Sequence, residues 1–549
     1  MESATSAMVL LLAVVISGLA WRLVKGIPLP LVQIAFGAVL AWTHGSSSQA
    51  LDPEFFLFFF IPPLLFADAR RYPRAEFKRL WRPITTLALG LVVFTVVGAG
   101  YFIDWLIPSI PLPVAFALAA VLSPTDPVAV SAITAATPVP RTMMHVLEGE
   151  ALLNDATGLV GFRFAVAAAV TGTFSILSAT STFFVVAIGG LLIGAVIPFA
   201  ISLVQRFFAR QGGEDTGTQV LTTLLQPFAA YLAAEHLHCS GILAAVAAGL
   251  VLSFVEDHSS GSAEARLYGN AVWRMVQFAL EGAIFVLLGE QIPGVWADRQ
   301  QVIAESQLAG SWDLFYLVLA VACALIFLRF VYVAMSARLA GLRAARRGQR
   351  QVRAPLRMMV ALAFAGVRGA ITLAGVLTLP LALPGGAPFP SRDTAIFIAM
   401  GVILVSLVLA VVVLPFLLRD LEVSEVHEVD DDEGTRARLV DVALRRIEAA
   451  REDKTLAIDP DVFSEASGRI AMLYQRLQQA HSLELEAKEQ EHARKLLSAE
   501  RSLRLLGVRA EREELMRLRR ARQLSEGAAS RLIRELDLLE TQLSAVEGH

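Results

Sequence analysis

A disulfide framework is excluded first, because the chain holds only two cysteines, Cys239 and Cys323, and both lie inside apolar runs. Aromatic residues are scarce as well, at 8%, which argues against a large pocket for an organic substrate. A cleavable leader is lacking: the first apolar run, about residues 7–24, has no positive segment ahead of it and no small-residue cleavage site. It reads as a retained span. There is no lipidation motif, and no Gly-x-Gly-Asp type of loop such as an intramembrane aspartyl protease uses. The net charge of −3 carries little information, since the placement of Lys and Arg matters more than their sum.

What the chain has in excess is apolar sequence. It is 55% hydrophobic with mean hydropathy +0.59, against about 45–50% apolar for a soluble domain. The excess fills residues 1–418 and then stops, so the fold class is an all-α polytopic membrane protein with a polar C-terminal tail. Hydropathy places thirteen spans near 7–24, 28–43, 51–69, 83–107, 111–136, 143–171, 180–209, 217–236, 238–255, 269–292, 312–338, 355–380 and 393–418. Basic residues cluster in alternate loops, with Arg70, Arg71, Arg74, Lys78, Arg79 and Arg82 after the third span and Arg338 to Arg357 after the eleventh. The intervening loops have little beyond Arg299 and Arg392. The positive-inside rule then puts the N-terminus outside and the C-terminus in the cytoplasm.

Residues 419–434 include the acidic run from Glu428 to Glu433, which reads as a solvated linker. Residues 435–549 are rich in Glu, Arg, Leu and Ala, with Leu515, Leu518, Leu532, Leu536, Leu539 and Leu543 at helical spacing. They form a cytosolic helical appendage, with a coiled coil as one form it could take.

The stretch Ser123-Pro124-Thr125-Asp126-Pro127 organises the membrane part. An Asp at a helix centre costs roughly 2.5–3.5 kcal/mol to insert. The two prolines remove donors and leave carbonyls unpaired, which is tolerated only inside protein or beside a wet cavity. A carboxylate among free carbonyls suits a small cation or a proton. The sixth span adds Glu150, Ala151, Asn154 and Asp155. Glu150 and Asn154 share one helix face; Ala151 and Asp155 share the next. If Asp126 and Asp155 line one cavity, they cannot both be ionised without a counter-ion, so a proton and a cation compete for them. The twelfth span carries Gly366-Val367-Arg368-Gly369, whose buried Arg needs a carboxylate, and Glu150 is the expected partner; pairing of Arg368 with Asp126 or Asp155 is the alternative. Breaks in spans five and twelve fit two inverted six-helix repeats, although no repeat is visible in the letters. Asp68 is either an interfacial residue facing Arg70 and Arg71 or a third acid on the ion route. Glu281 reads as structural, Arg329 as snorkelling or paired, Arg163 as lacking a partner, and His236 and His238 as a polar turn.

Four motifs in order carry a resemblance: Pro62-Pro63-Leu64-Leu65-Phe66, Thr125-Asp126-Pro127, Glu150-Ala151-Leu152-Leu153-Asn154-Asp155 and Gly366-Val367-Arg368-Gly369. Over about residues 7–418 the chain resembles the first family of monovalent cation:proton antiporters, which includes the NhaP-type and NHE-type sodium/proton exchangers. The resemblance implies a homodimer of thirteen-helix protomers. In each, spans 4–6 and 11–13 form a core that moves against a dimerisation part, and broken spans five and twelve cross. It implies that Asp155 binds ion and proton, with Asp126 and the Thr125 carbonyl beside it, and that Glu150 and Arg368 form a structural ion pair. Asn154 before Asp155 resembles the electroneutral branch. Two departures stand out: Ala151 replaces a frequent Ser, and Asp68 falls one residue later than the family's usual acid. The implied function is secondary exchange of Na+, or of K+ or Li+, for H+ across a plasma membrane, in pH and sodium homeostasis. A K+/H+ antiporter is the nearest alternative; a channel or membrane protease is further away. No enzymatic activity, cofactor or nucleic-acid partner is expected. The lipid bilayer is the surrounding partner, and the tail's partner is not encoded in any motif.

Overall fold

Each of the thirteen apolar runs carries helix in the computed structural model of the chain. The structure describes residues 2–24, 26–44, 57–134, 141–172, 176–212, 215–257, 263–346, 355–383 and 386–419, with scattered residues of the tail. Among the described residues there is no β-strand, only an isolated bridge between Ala382 and Pro388.

In chain order the helices are α1 (Glu2–Trp21), α2 (Leu29–His44), α3 (Ile61–Arg71), α4 (Arg74–Thr85), α5 (Val92–Leu106), α6 (Leu112–Leu122), α7 (Pro127–Thr134) and α8 (Arg141–Thr171). They continue as α9 (Ile176–Gly212), α10 (Thr216–His236), α11 (Gly241–Asp257), α12 (Ala263–Ala297), α13 (Arg299–Glu305), α14 (Ser311–Arg346), α15 (Leu356–Phe364), α16 (Ala370–Leu377) and α17 (Arg392–Leu418). By length and composition, six described helices can cross a bilayer as single pieces, among them Thr142–Thr171, Ser311–Arg343 and Arg392–Leu418. Spans five and twelve fall short because each is interrupted midway, as α6/α7 and α15/α16.

Start and stop signals account for many of the boundaries. Pro111 and Pro355 precede α6 and α15 in extended conformation, and Asp215 caps α10 by accepting from the Thr218 amide at 2.7 Å. The hydrogen bonds from Thr218 hold the Asp215 carboxyl below its ordinary range. His238, at φ 55, makes the left-handed turn between α10 and α11, and His236 Nδ1 lies 2.8 Å from the Leu232 carbonyl. The polar-turn reading of these histidines matches that geometry. Between α4 and α5 the chain forms a π-helical turn, Thr86–Leu91, shortly after Pro83; the Tyr332 hydroxyl donates to the Thr86 carbonyl at 2.9 Å. Arg299–Glu305 is a short helix that hydropathy does not signal.

The helices sort into two bundles. One joins α4 to α8 with α14 to α17: α6 packs on α5 and α8, α14 on α5, and α17 on α14 and α15. The other joins α1–α3 with α9–α12, through close pairs α2/α12, α3/α11 and α9/α11. Small residues set these distances. A Cβ added at Gly37 would strike the Val286 carbonyl, and one at Gly289 the Ile34 carbonyl, so α2 and α12 approach backbone to backbone. The first bundle repeats one pattern twice: long helix, broken helix, long helix.

Residues 1–423 form one compact unit and 424–549 a second. In the second, Val508, Leu515 and Leu536 are buried together with Leu543 against them, so part of the leucine periodicity of the tail is a packed face. The acidic run at 428–433 lies outside the described residues.

Candidate ion-binding site

The two interruptions satisfy one another. The Asp126 amide donates to the Val367 carbonyl at 2.7 Å. Arg368 Nε donates to the Leu122 carbonyl at 3.0 Å, and Thr372 Oγ1 to the Val121 carbonyl at 3.0 Å. Arg368 Nη1 donates to the Gly366 carbonyl, while the Arg368 amide is met by Ser406 Oγ at 3.2 Å. Arg368 is 2% exposed, and its charge lies on carbonyls at the C-terminal ends of α6 and α15, the negative ends of both half-helices. A Cβ at Gly369 would overlap Asp126 Oδ2, so only glycine lets the second break close over that carboxylate.

This changes the partner of Glu150. The pair expected with Arg368 is instead made with Arg329, bidentate at 2.5 and 2.8 Å, with both side chains nearly inaccessible. Arg329 Nε also donates to the Leu362 carbonyl at 2.8 Å. The physical reason is that Arg368 is already committed to the carbonyls of the crossing, whereas among the described residues Arg329 pairs with no other acid. Arg329 sits in the middle of α14, roughly 25 Å of helix from either end, too far for snorkelling. That position was the signal in the sequence that could have found it.

From the Glu150–Arg329 pair a polar chain leads towards the break. Thr125 Oγ1 lies 3.3 Å from Glu150 Oε1, and Asn154 Nδ2 donates to Thr125 Oγ1 at 3.0 Å. Asn154 thus faces the buried network and not open space.

The neighbouring face of α8 looks into a cavity of about 440 Å³. Asp155, Ala151, Asp126, Thr125 and Asp68 all line it, together with Glu148 and Glu281. Asp155 is 7% exposed, and among the described residues no basic side chain pairs with it. Asp155 and Asp126 are near enough for their charges to interact. Asp68 Oδ1 accepts from Gln277 Nε2 at 3.0 Å and turns into the cavity instead of only meeting Arg70 or Arg71. Glu281, read as structural from sequence, is a further cavity acid, and Gln277 gave no signal at all. The cavity also reaches Arg71, Tyr72 and His145, so it approaches the face that bears the basic loops. A second cavity of about 1310 Å³ approaches the opposite face; Arg163, Glu235, Asp298 and Arg392 line it, and Asp126 and Asp155 do not. Arg163 has a partner after all: Glu235, at 3.3 Å.

A broken-helix crossing beside two carboxylates in one cavity, within a core of two long–broken–long repeats, is the geometry of an ion exchanger. Residues 8–420 match the family described as "Sodium/hydrogen exchanger, transmembrane". The chain belongs to that family. Its relatives include an uncharacterized Na+/H+ exchanger of Escherichia coli K12, YjcE, which is 41% identical over 551 residues with 99% of each chain covered. A sodium, potassium, lithium and rubidium/H+ antiporter of Bacillus subtilis is 38% identical over 534 residues, 97% of this chain and 77% of that one. Among solved structures, the sodium proton antiporter MjNhaP1 of Methanocaldococcus jannaschii superposes with a TM-score of 0.59 at 17% identity, over 77% of this chain and 99% of that chain. That likeness is one of fold. This exchanger therefore has the fold its motifs implied, and it is a membrane transporter by family.

Proposed function

We propose that this exchanger trades one monovalent cation for one proton at Asp155, with Asp126, the Thr125 carbonyl and Asp68 assisting. The observation that carries the reading is the asymmetry of the cavities: one reaches both Asp155 and Asp126, and the cavity from the other face reaches neither. Alternating access requires such one-sided entry. The core bundle holds the site, the other bundle supplies the wall that carries Asp68 and Glu281, and relative movement of the two exposes the site to each face in turn. A cation or a proton neutralises the carboxylates before the core moves, and this couples the two fluxes.

Na+ is the principal cation, with K+ and Li+ as competitors. The Bacillus relative is named for transport of all three, and Ala151 offers no hydroxyl ligand to select the smaller ions. Asn154, engaged with Thr125, leaves Asp155 as the titrating acid of its helix turn, in keeping with electroneutral exchange. The protein works as a homodimer in the plasma membrane, with its N-terminus outside and its C-terminal tail in the cytoplasm; the alternation of basic loops supports that orientation.

The test is a fluorescence-dequenching assay in everted vesicles with Na+, K+ and Li+ across pH. Asp155→Asn should abolish cation-dependent proton flux while the protein still inserts. In the wild type the apparent KM for Na+ should rise as pH falls, by about tenfold per pH unit where proton and cation compete directly. Retained exchange in Asp155→Asn, or a KM indifferent to pH, would overturn the assignment.

A further inference from the structure

A third cavity, of about 490 Å³, lies between α12 of one bundle and α14 and α17 of the other. Its walls include Ile292, Trp312, Phe315, Met400 and Leu404, and almost nothing polar faces it. The size is that of a ligand pocket, roughly 300–1,000 Å³, but without the convergent polar groups that a soluble ligand needs. Its floor is set by Gly401, where a Cβ would meet Val318 Cγ1 at 2.7 Å, so α14 and α17 close tightly behind it. Its rim carries two large exposed aromatics, Trp296 at 55% and Trp312 at 75%. Paired Trp at the ends of membrane helices marks the level of lipid headgroups.

A cation is held on one of these aromatics. The Arg299 guanidinium stacks over Trp296, 5.3 Å from the ring centroid, and spends one N–H on the Trp296 carbonyl at 2.9 Å. A guanidinium has five such donors. Among the described residues no carboxylate pairs with this guanidinium, whose contacts are the Trp296 ring and carbonyl. An apolar slot beneath an aromatic rim, with a guanidinium stacked on one of the rim tryptophans, matches one class of molecule: a long alkyl chain ending in a phosphate.

We propose that this groove holds one acyl chain of a membrane phospholipid, with its phosphate on Arg299. The groove spans the boundary of the two bundles, so the chain sits where they would slide. A second copy of the protein is the poorer occupant, because the slot is recessed between helices and a convex helix face would bridge its rim without filling it.

The test uses the full chain reconstituted in vesicles with an anionic phospholipid that carries a diazirine on its acyl chain. After irradiation, adducts should concentrate on the Met400–Leu404 segment and saturate with lipid, above the level on the outward face of α9 at Phe184–Phe208. Leu404→Trp should remove the groove adducts and leave those on α9 unchanged. Val405→Phe, which fills the slot from another lining position, should do the same if the Trp variant fails to insert. Arg299→Gln should weaken saturation about tenfold, as expected for loss of a charge-assisted hydrogen bond. Labelling that rises linearly with lipid and equals that on α9, or that survives both filling variants, would mean surrounding lipid only and would overturn the site. Protein–protein adducts at the groove in place of lipid adducts would overturn it in favour of a second copy. Saturable labelling indifferent to Arg299→Gln would overturn the headgroup assignment. None of these readouts depends on exchange activity.

Discussion

Two arginines, Arg329 and Arg368, are buried near a single glutamate, Glu150, and their different employment fixes what each substitution should do. Glu150→Gln leaves Arg329 charged and unpaired in the protein interior, a loss of roughly 3–5 kcal/mol; membrane yield and melting temperature should fall. In a double-mutant cycle, Glu150→Gln and Arg329→Gln should be strongly non-additive, whereas Glu150→Gln and Arg368→Gln should couple more weakly. The opposite pattern in thermal-unfolding measurements would restore Arg368 as the partner. Gly369→Ala is the second residue-scale change. Its methyl group would displace the Asp126 side chain, Cβ included, so cation affinity in the vesicle assay should drop several-fold and membrane yield should fall with it; unchanged affinity would show that Asp126 can move freely. At this scale the sequence was legible where helical spacing alone decides, as in the split of Glu150 and Asn154 from Ala151 and Asp155. It was opaque for Arg368, because hydrogen bonds to main-chain carbonyls leave no trace in side-chain identities. Glu281 and Gln277 were missed for a related reason: membership of a cavity depends on where α12 is set down against α3 and α8, which no local pattern records.

At the scale of elements, broken helices were visible in advance when proline made the break and less so when it did not. Pro124 and Pro127 mark the first interruption, while the second, Ala365 to Gly369, contains only two glycines. Both hydropathy and charge alternation identified the long helices well, since a span must be apolar over its whole length. The π-helical turn at Thr86–Leu91 and the short α13 carry no such requirement and were not foreseen. The Arg163–Glu235 contact joins α8, which bears Asp155, to α10 of the other bundle. Both groups are partly exposed, so the pair itself is worth little, about 0.2–1 kcal/mol, and Arg163→Ala should alter the exchange rate by no more than about fivefold. A covalent bond at the same place is a sharper probe. With Cys239→Ser and Cys323→Ser as background, Arg163→Cys and Glu235→Cys should be bridged by a reducible bifunctional thiol reagent that spans the length of the two lost side chains, stop exchange, and recover on reduction. Exchange that continues through the crosslink would mean that α8 and α10 keep their spacing throughout the cycle.

For the whole molecule, the family match ends at residue 420 and the compact membrane unit at residue 423. Truncation after Val423 should therefore preserve insertion and cation-dependent proton flux, and change at most the pH range over which flux is seen. Loss of insertion would make the tail part of the folding unit. The division between apolar and polar halves was plain from composition, because the bilayer imposes a sharp solvent boundary. The division of the apolar half into two bundles was not readable in composition, since both are built from the same residue types; it came only from the resemblance, which implied a core of spans 4–6 and 11–13, the grouping the helices adopt.

The stitched breaks have a consequence for biogenesis. The Leu122 carbonyl waits for a donor 246 positions downstream. At synthesis rates of about 5–20 residues per second, that interval is roughly 10–50 s. During it the first half of the protein is in the bilayer with frayed ends that only the second half can mend. Nascent chains arrested before Arg368 should be open to water at that depth and be short-lived, however well each earlier helix inserts.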